Sequence, residues 1–233
     1  MYALVTGASS GIGLEIAKIF ARKGYNLIIV ARRENRLIKI KEVFEKTYPI
    51  KVIPIEKDLS KEDNCIKLFN EVKSYPIEVW VNNAGFGKLG RFEDIALEEE
   101  LDMIHTNILA YHIFTKLFIQ EIGKGYILNI SSVSAFQPDP MMATYGATKS
   151  YILNWGLAIS YELKRHKKDV HVTTVCPGPV NTEFNKVANT DFDLKSISPR
   201  ECARIAVSGL FRKKPLVIPG KGINLLRIGS KLA

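Results

Sequence analysis

Short apolar runs alternate with stretches of helical periodicity from one end of the chain to the other. The strand candidates are Tyr2 to Thr6, Asn26 to Ala31, Lys51 to Ile55, Ile77 to Asn82, Tyr126 to Ser131, Val170 to Cys176 and Leu216 to Ile218. They are rich in Val and Ile and lack a clean in-out alternation, which suits strands covered on both faces. Between them, Ile12, Ile16, Ile19 and Phe20, then Leu37, Ile40, Val43 and Phe44, repeat at the spacing that lays an apolar stripe along a helix. Longer helices are predicted over about Leu97 to Ile122 and about Thr144 to Arg165. Such alternation winds into a parallel sheet with right-handed crossovers, and its ligand crevice lies at the carboxyl ends of the strands. Functional residues are therefore expected just after strands.

The 233 residues suit one domain, and no repeat or linker rich in Pro, Gly or Ser interrupts them. The expected architecture is α/β: residues 1–233 as a single-domain, Rossmann-like, doubly wound parallel sheet of about seven strands with helices on both faces. With 46% hydrophobic and 24% charged residues the composition is that of a globular protein. No apolar run exceeds five residues, Leu27 to Ala31 being one such run, far short of the roughly 20 a membrane-spanning helix requires. Tyr2 to Val5 already reads as strand, so no leader and a cytoplasmic location are expected. Cys65, Cys176 and Cys202 form no Cys-x-x-Cys pair, and the four histidines lack partners at ligand spacing, so buried thiols and no metal site are expected.

Net charge is +9, of which +8 falls between Lys195 and Ala233. One account is a solvated face, with Arg212, Lys213 and Lys214 closing a helix whose dipole favours cations there. The other is electrostatic attraction of an acidic substrate, an acyl carrier or an anionic membrane surface. The apolar, basic tail from Ile223 to Ile228 is expected to pack on the body, with subunit or membrane-surface contact as alternatives. Nothing in the pattern suggests nucleic acid as a partner.

Directly after the first strand comes Thr6-Gly7-Ala8-Ser9-Ser10-Gly11-Ile12-Gly13, within which a helix begins. Glycines permit a tight turn and close backbone approach, and the free N–H groups of a helix start favour a pyrophosphate. The same letters match the nucleophile elbow of serine hydrolases. That motif needs earlier strands and an upstream oxyanion loop, for which the six residues before Gly7 leave no room.

Over most of its length the chain resembles the short-chain dehydrogenase/reductase family. Thr6 to Gly13 resembles its cofactor loop, Asn82-Asn83-Ala84-Gly85 its motif after the fourth strand, and Tyr145-Gly146-Ala147-Thr148-Lys149 its Tyr-x-x-x-Lys pair. Pro177-Gly178-Pro179-Val180-Asn181-Thr182 resembles its Pro-Gly turn with a nicotinamide-contacting threonine. Tyr145 and Lys149 stand four apart in a helical pattern and so share a face. A tyrosine titrates near 10, so useful acidity at neutral pH needs roughly 3 to 4 kcal/mol of help, which a nearby ammonium would favour. Tyr145 is thus expected to be general acid for carbonyl reduction and general base for the reverse.

The resemblance implies a serine thirteen residues before the tyrosine, which selects Ser132, and an upstream asparagine, which Asn107 fits. Ser132 would hold the substrate oxygen, Asn107 a water that relays protons from Lys149, and Lys149 the nicotinamide ribose. Thr148 and Ala135 depart from the commoner Ser and Gly without touching this chemistry. The implied cofactor contacts are Gly7, Ser9, Ser10, Gly11, Ile12, Gly13, Arg32, Arg33, Asp58, Leu59, Asn83, Ala84, Gly85, Tyr145, Lys149, Pro177, Gly178, Val180 and Thr182.

Relatives that prefer NAD usually end the second strand with an acid, whereas here Ala31 is followed by Arg32 and Arg33. Guanidinium groups bind a 2′-phosphate by paired, charge-assisted bonds, so NADP(H) is expected, with Arg32 the leading contact and Ser9 or Arg33 assisting. The cofactor part should occupy about 1–150 and a substrate lid about 183–200, with Phe184, Phe192 and Leu194 as apolar cover. The expected function is hydride transfer between NADP(H) and a carbonyl/alcohol pair. A 3-ketoacyl-carrier-protein reductase ranks second, because Gly85 to Phe92 differs from that group's usual loop, and a non-catalytic cofactor sensor is the other alternative. The resemblance also implies a homodimer or homotetramer.

Overall fold

All seven predicted strands form: β1 Tyr2–Thr6, β2 Asn26–Ala31, β3 Val52–Glu56, β4 Ile77–Asn82, β5 Lys124–Ile130, β6 Asp169–Val175 and β7 Leu216–Val217. In the computed structural model, which describes residues 1–184 and 196–220, they make one parallel sheet in the order β3-β2-β1-β4-β5-β6-β7. Phe192, Leu194 and the tail Ile223 to Ile228 lie outside the described residues. The sequence boundaries overshoot β5 and β6 by one residue, and for a visible reason. Ser131 and Cys176 still donate N–H bonds to Val175 and Val217 as the ladder ends.

The helices are α1 Gly11–Arg22, α2 Glu34–Thr47, α3 Glu62–Val72, α4 Leu97–Ile104, α5 Ala110–Leu117, α6 Ala143–Arg165 and α7 Pro199–Phe211. From Leu97 to Ile122 the chain is helical throughout, as the periodicity predicts, but His105–Leu109 and Phe118–Ile122 widen to π pitch. Each strand supplies two opposite apolar faces. Leu27 and Ile29 pack with Ile16, Phe20, Leu37 and Val207 on one side. Ile28 and Val30 pack with Leu68, Phe69, Phe114 and Phe118 on the other, around a fully buried Trp80. Fully burying such side chains stabilises by about 1.5–3 kcal/mol each.

The stripe on α2 is narrower than its spacing suggests. Leu37 and Phe44 are buried, but Val43 is 59% exposed because α2 covers only the sheet edge at β2 and β3. Arg212, Lys213 and Lys214 do close α7, through N–H bonds to the Ser208, Leu210 and Gly209 carbonyls. All three cysteines are buried thiols. Among the described residues no helix is long and apolar enough to cross a membrane, and no cluster of ligating side chains could hold a metal ion.

The sheet changes its direction of winding between β1 and β4, and one hydroxyl fastens their carboxyl ends. Thr6 Oγ1 donates to the Val81 carbonyl at 3.1 Å and accepts from the Asn83 and Ala84 N–H groups at 2.9 and 3.1 Å. Asn83 Nδ2 returns the link by donating to the carbonyls of Thr6 at 2.9 Å and Gly7 at 3.2 Å. The floor of the crevice is thus built from two neighbouring strand ends.

Candidate active site

A continuous cavity of about 810 Å³ runs along those strand ends, within the range of a cofactor or ligand site. Every site residue expected from the sequence lines it except Gly13 and Asn107, which stand one layer behind. Gly13 lies behind the wall for a steric reason: a Cβ there would collide with the Gly7 carbonyl oxygen and come 2.5 Å from Asn83 Nδ2. Gly7 and Gly11 take φ of +65° and +57°, and a Cβ on Gly7 would come 2.7 Å from the same amide. These glycines let the loop pack tightly against Asn83, Ala84 and Thr182 at the start of α1, where free N–H groups favour a pyrophosphate. The residues present therefore fit a dinucleotide.

Where the adenosine is expected, Arg32 and Arg33 both line the cavity but differ in their partners. Arg33 donates to Ser9 Oγ at 2.8 Å and Ser10 Oγ at 3.0 Å, whereas the Arg32 side chain lines the cavity without a hydrogen bond or ion pair to another described residue. Arg33 caps α2, so its position one residue past Arg32 turns its side chain across the glycine loop. Its other amino group reaches Glu183 at 2.8 Å, and Arg36 Nη1 reaches the second oxygen of Glu183 at 2.7 Å. Arg36 was not expected from the sequence, although its place one turn beyond Arg33 is the available signal. Asp58 lines the same end while its carboxylate accepts the Ser60 N–H at 3.0 Å.

At the other end, α6 carries Tyr145 and Lys149, both buried. Lys149 Nζ donates to the Ile130 carbonyl at 3.1 Å and lies 5.6 Å from the centre of the Tyr145 ring. Of the paired serines, Ser131 donates its hydroxyl to the Lys149 carbonyl at 2.7 Å and so anchors α6. Ser132 instead caps a short turn, accepting the Ser134 N–H at 3.2 Å, and its hydroxyl acts on Tyr145.

Electrostatically, burial dominates. It pushes the Tyr145 phenol up to about 12, with Ser132 pulling the other way and Asp139 and Cys176 adding to the rise. It pulls the Lys149 ammonium down to about 8. The sequence expectation of a phenol acidified by its lysine is thus not met by these residues alone. At neutral pH Tyr145 keeps its proton, the state required of a proton donor.

Asn107 sits fully buried within the first π segment. Its Oδ1 accepts the Phe86 N–H at 3.1 Å, and its Nδ2 donates to the Phe86 carbonyl at 2.9 Å and to Thr148 Oγ1 at 3.1 Å. Its direct partners therefore hold the loop after β4. Thr148, treated above as a neutral departure, is one of them, and also donates to the Tyr145 carbonyl at 2.7 Å.

Above Tyr145 lies an apolar cluster that the sequence expectations included only at Phe184. Phe86, Leu89, Met103 and Met142 join it, and the Phe184 and Tyr145 rings are 5.3 Å apart. These residues come from four separate segments, so no local spacing marks them.

The sequence model described as short chain dehydrogenase matches residues 1–193. The chain belongs to that family. Among similar short-chain dehydrogenases and related proteins is the very-long-chain 3-oxoacyl-CoA reductase of Candida glabrata, 29% identical over 91% of this chain. The chain spans 65% of that relative's length. A short-chain dehydrogenase from Sphingobium yanoikuyae, solved in complex with NADPH, superposes with a TM-score of 0.89 at 29% identity, covering 99% of this chain and 92% of that one. The bulky-bulky ketone specific alcohol dehydrogenase from Comamonas testosteroni gives 0.84 at 29% identity, covering 99% and 91%. As a short-chain dehydrogenase, the chain lines one cavity with both its Tyr-x-x-x-Lys pair and its glycine loop.

Proposed function

We propose that the protein is an NADP(H)-dependent oxidoreductase interconverting a carbonyl compound and its alcohol, with Tyr145 as the proton-transferring group. The observation that carries this reading is the placement of the buried Tyr145 phenol, with Lys149 and Ser132, on the wall of the dinucleotide-sized cavity. A bound nicotinamide supplies hydride to the carbonyl carbon in reduction and accepts it in oxidation. Tyr145 delivers the proton to the carbonyl oxygen as charge develops there, and general acid assistance of this kind contributes typically 10²–10⁴-fold. Ser132 donates a hydrogen bond to the same oxygen and fixes its position. The Lys149 charge near the Tyr145 ring favours the phenolate that forms, and hence the base needed for the reverse reaction. Asn107 acts through Phe86 and Thr148 rather than on the reactant.

The NADP(H) preference is supported by the absence of an acid after Ala31 and by the Arg33 guanidinium on Ser9 and Ser10. Arg33, with Arg36 beside it, joins Arg32 as a contact for the 2′-phosphate. The NADPH complex of the Sphingobium relative is consistent with this choice. The apolar cluster of Phe86, Met142 and Phe184 suits a bulky, largely apolar carbonyl substrate, in keeping with the bulky-bulky ketone specificity of the Comamonas enzyme. The reading also includes a cytoplasmic, homo-oligomeric enzyme. For the assembly, the stack of exposed His112 with half-buried Tyr151 and Trp155 on α5 and α6 supplies a ring surface for a second copy.

Tyr145→Phe tests the function. It should leave NADPH affinity within about threefold and lower the rate of carbonyl-dependent NADPH oxidation by at least 10²-fold. Retention of the rate would overturn the assignment, and the sensor alternative would then gain support.

A further inference from the structure

The ion pairs of Glu183 join parts of the chain that lie far apart in sequence. Arg33 and Arg36 project from the start of α2, beyond the carboxyl end of β2. Glu183 follows Thr182 on the far wall of the cleft, 150 and 147 residues away along the chain. One carboxylate oxygen accepts from Arg33 at 2.8 Å and the other from Arg36 at 2.7 Å. Arg33 directs its remaining N–H groups at Ser9 and Ser10. Two guanidinium groups beside two hydroxyls, already holding a two-oxygen anion, form a donor set that suits a phosphate. The Arg36 and Arg33 bonds hold this carboxyl far below the usual range, at about 2, so it is an anion at any working pH.

Resting on the reading of the cofactor as NADP(H), we propose that Glu183 is a built-in competitor for the 2′-phosphate, occupying Arg33 and Arg36 until the phosphorylated dinucleotide displaces it. Two anions cannot share these guanidinium groups without mutual repulsion, so NADP(H) must exchange with the carboxylate. NADH has no group to exchange and binds with the Glu183 pairs intact. Glu183 therefore determines cofactor specificity by taxing the phosphorylated form. The exchange also reaches the reactive end. A Cβ on Gly11 would come 3.2 Å from the Thr182 methyl, and Phe184 packs on Tyr145, so Glu183 is the middle of a three-residue strap touching both halves of the site.

The side chains are 43–46% exposed, and exposed pairs are individually weak, so the expected effect is modest. Glu183→Gln should tighten NADPH roughly three- to tenfold while leaving NADH within about twofold. It should also steepen the salt dependence of NADPH binding, because new ion pairs then form without old ones breaking. Dissociation constants for both dinucleotides at two ionic strengths, with Arg33→Ala and Arg36→Ala measured alongside, read this directly. If wild type prefers NADPH but Glu183→Gln leaves the ratio unchanged or weakens NADPH, competition is wrong and the cofactor reading stands. If Arg33→Ala and Arg36→Ala both leave NADPH binding unchanged, the 2′-phosphate reading fails and this inference fails with it.

Discussion

Asn107→Ala separates a positioning residue from a catalytic one. The substitution removes three hydrogen bonds at a fully buried position, leaving the Phe86 N–H, the Phe86 carbonyl and the Thr148 hydroxyl to find new partners. A buried polar group left unsatisfied costs about 1–3 kcal/mol. The losses here are unequal. Thr148 keeps its bond to the Tyr145 carbonyl, and Phe86 lines the cavity, where water can reach its backbone. The expected loss of stability is therefore about 2–4 kcal/mol, read as a lower midpoint in urea with an unchanged slope. Asn107→Asp probes the electrostatic side. A Cβ on Gly85 would lie 2.8 Å from Asn107 Oδ1 and 3.4 Å from Lys149 Nζ, so a carboxylate there sits near the ammonium and should raise its pKa. The limb of the reduction pH profile assigned to Lys149 should move up with it. A cost below about 1 kcal/mol for Asn107→Ala would refute the claim that these bonds hold the loop.

The pH profile of the wild type follows from the two buried groups. A lysine is cationic below its pKa, so kcat/KM for carbonyl reduction should decline above about 8 as Lys149 loses its proton, well before Tyr145 at about 12. A profile flat through that region would remove Lys149 as the controlling group. Ser132→Ala should lower kcat by about 10²-fold with NADPH affinity nearly unchanged, because its hydroxyl acts on Tyr145 and the reactant oxygen rather than on the dinucleotide. Gly13→Ala should cost about 1–3 kcal/mol of stability and weaken both dinucleotides, since its Cβ would be driven into the Gly7 carbonyl and the Asn83 amide; unaltered melting and binding would show that the loop yields.

The layers of the fold were legible because Leu27, Ile29, Ile28 and Val30 are apolar on both faces, and the stripe on α1 matches one of them. What escaped was set by distance along the chain or by a shift of one residue. No composition distinguishes Arg32 from Arg33, and only the backbone path from the end of β2 into α2 decides which guanidinium crosses to Ser9. The π pitch at His105–Leu109 likewise leaves no periodic trace, yet it is where Asn107 sits. Asn82 and Asn129 are fully buried and bonded to each other at 2.8 Å, a pairing visible only once β4 and β5 are neighbours. The Tyr145 and Lys149 pair was legible from its spacing, but not the burial that drives their proton affinities apart.

The strap from Thr182 to Phe184 has one more consequence. Its first residue roofs the glycine loop and its last forms a wall beside the reacting phenol, so a molecule that moves one end alters the surface offered to the other ligand. Free energy is a state function, and any factor by which dinucleotide improves the grip on substrate must be returned in full as improved grip on dinucleotide. Three consecutive residues thus touch both the glycine loop and the Tyr145 ring within the one cavity.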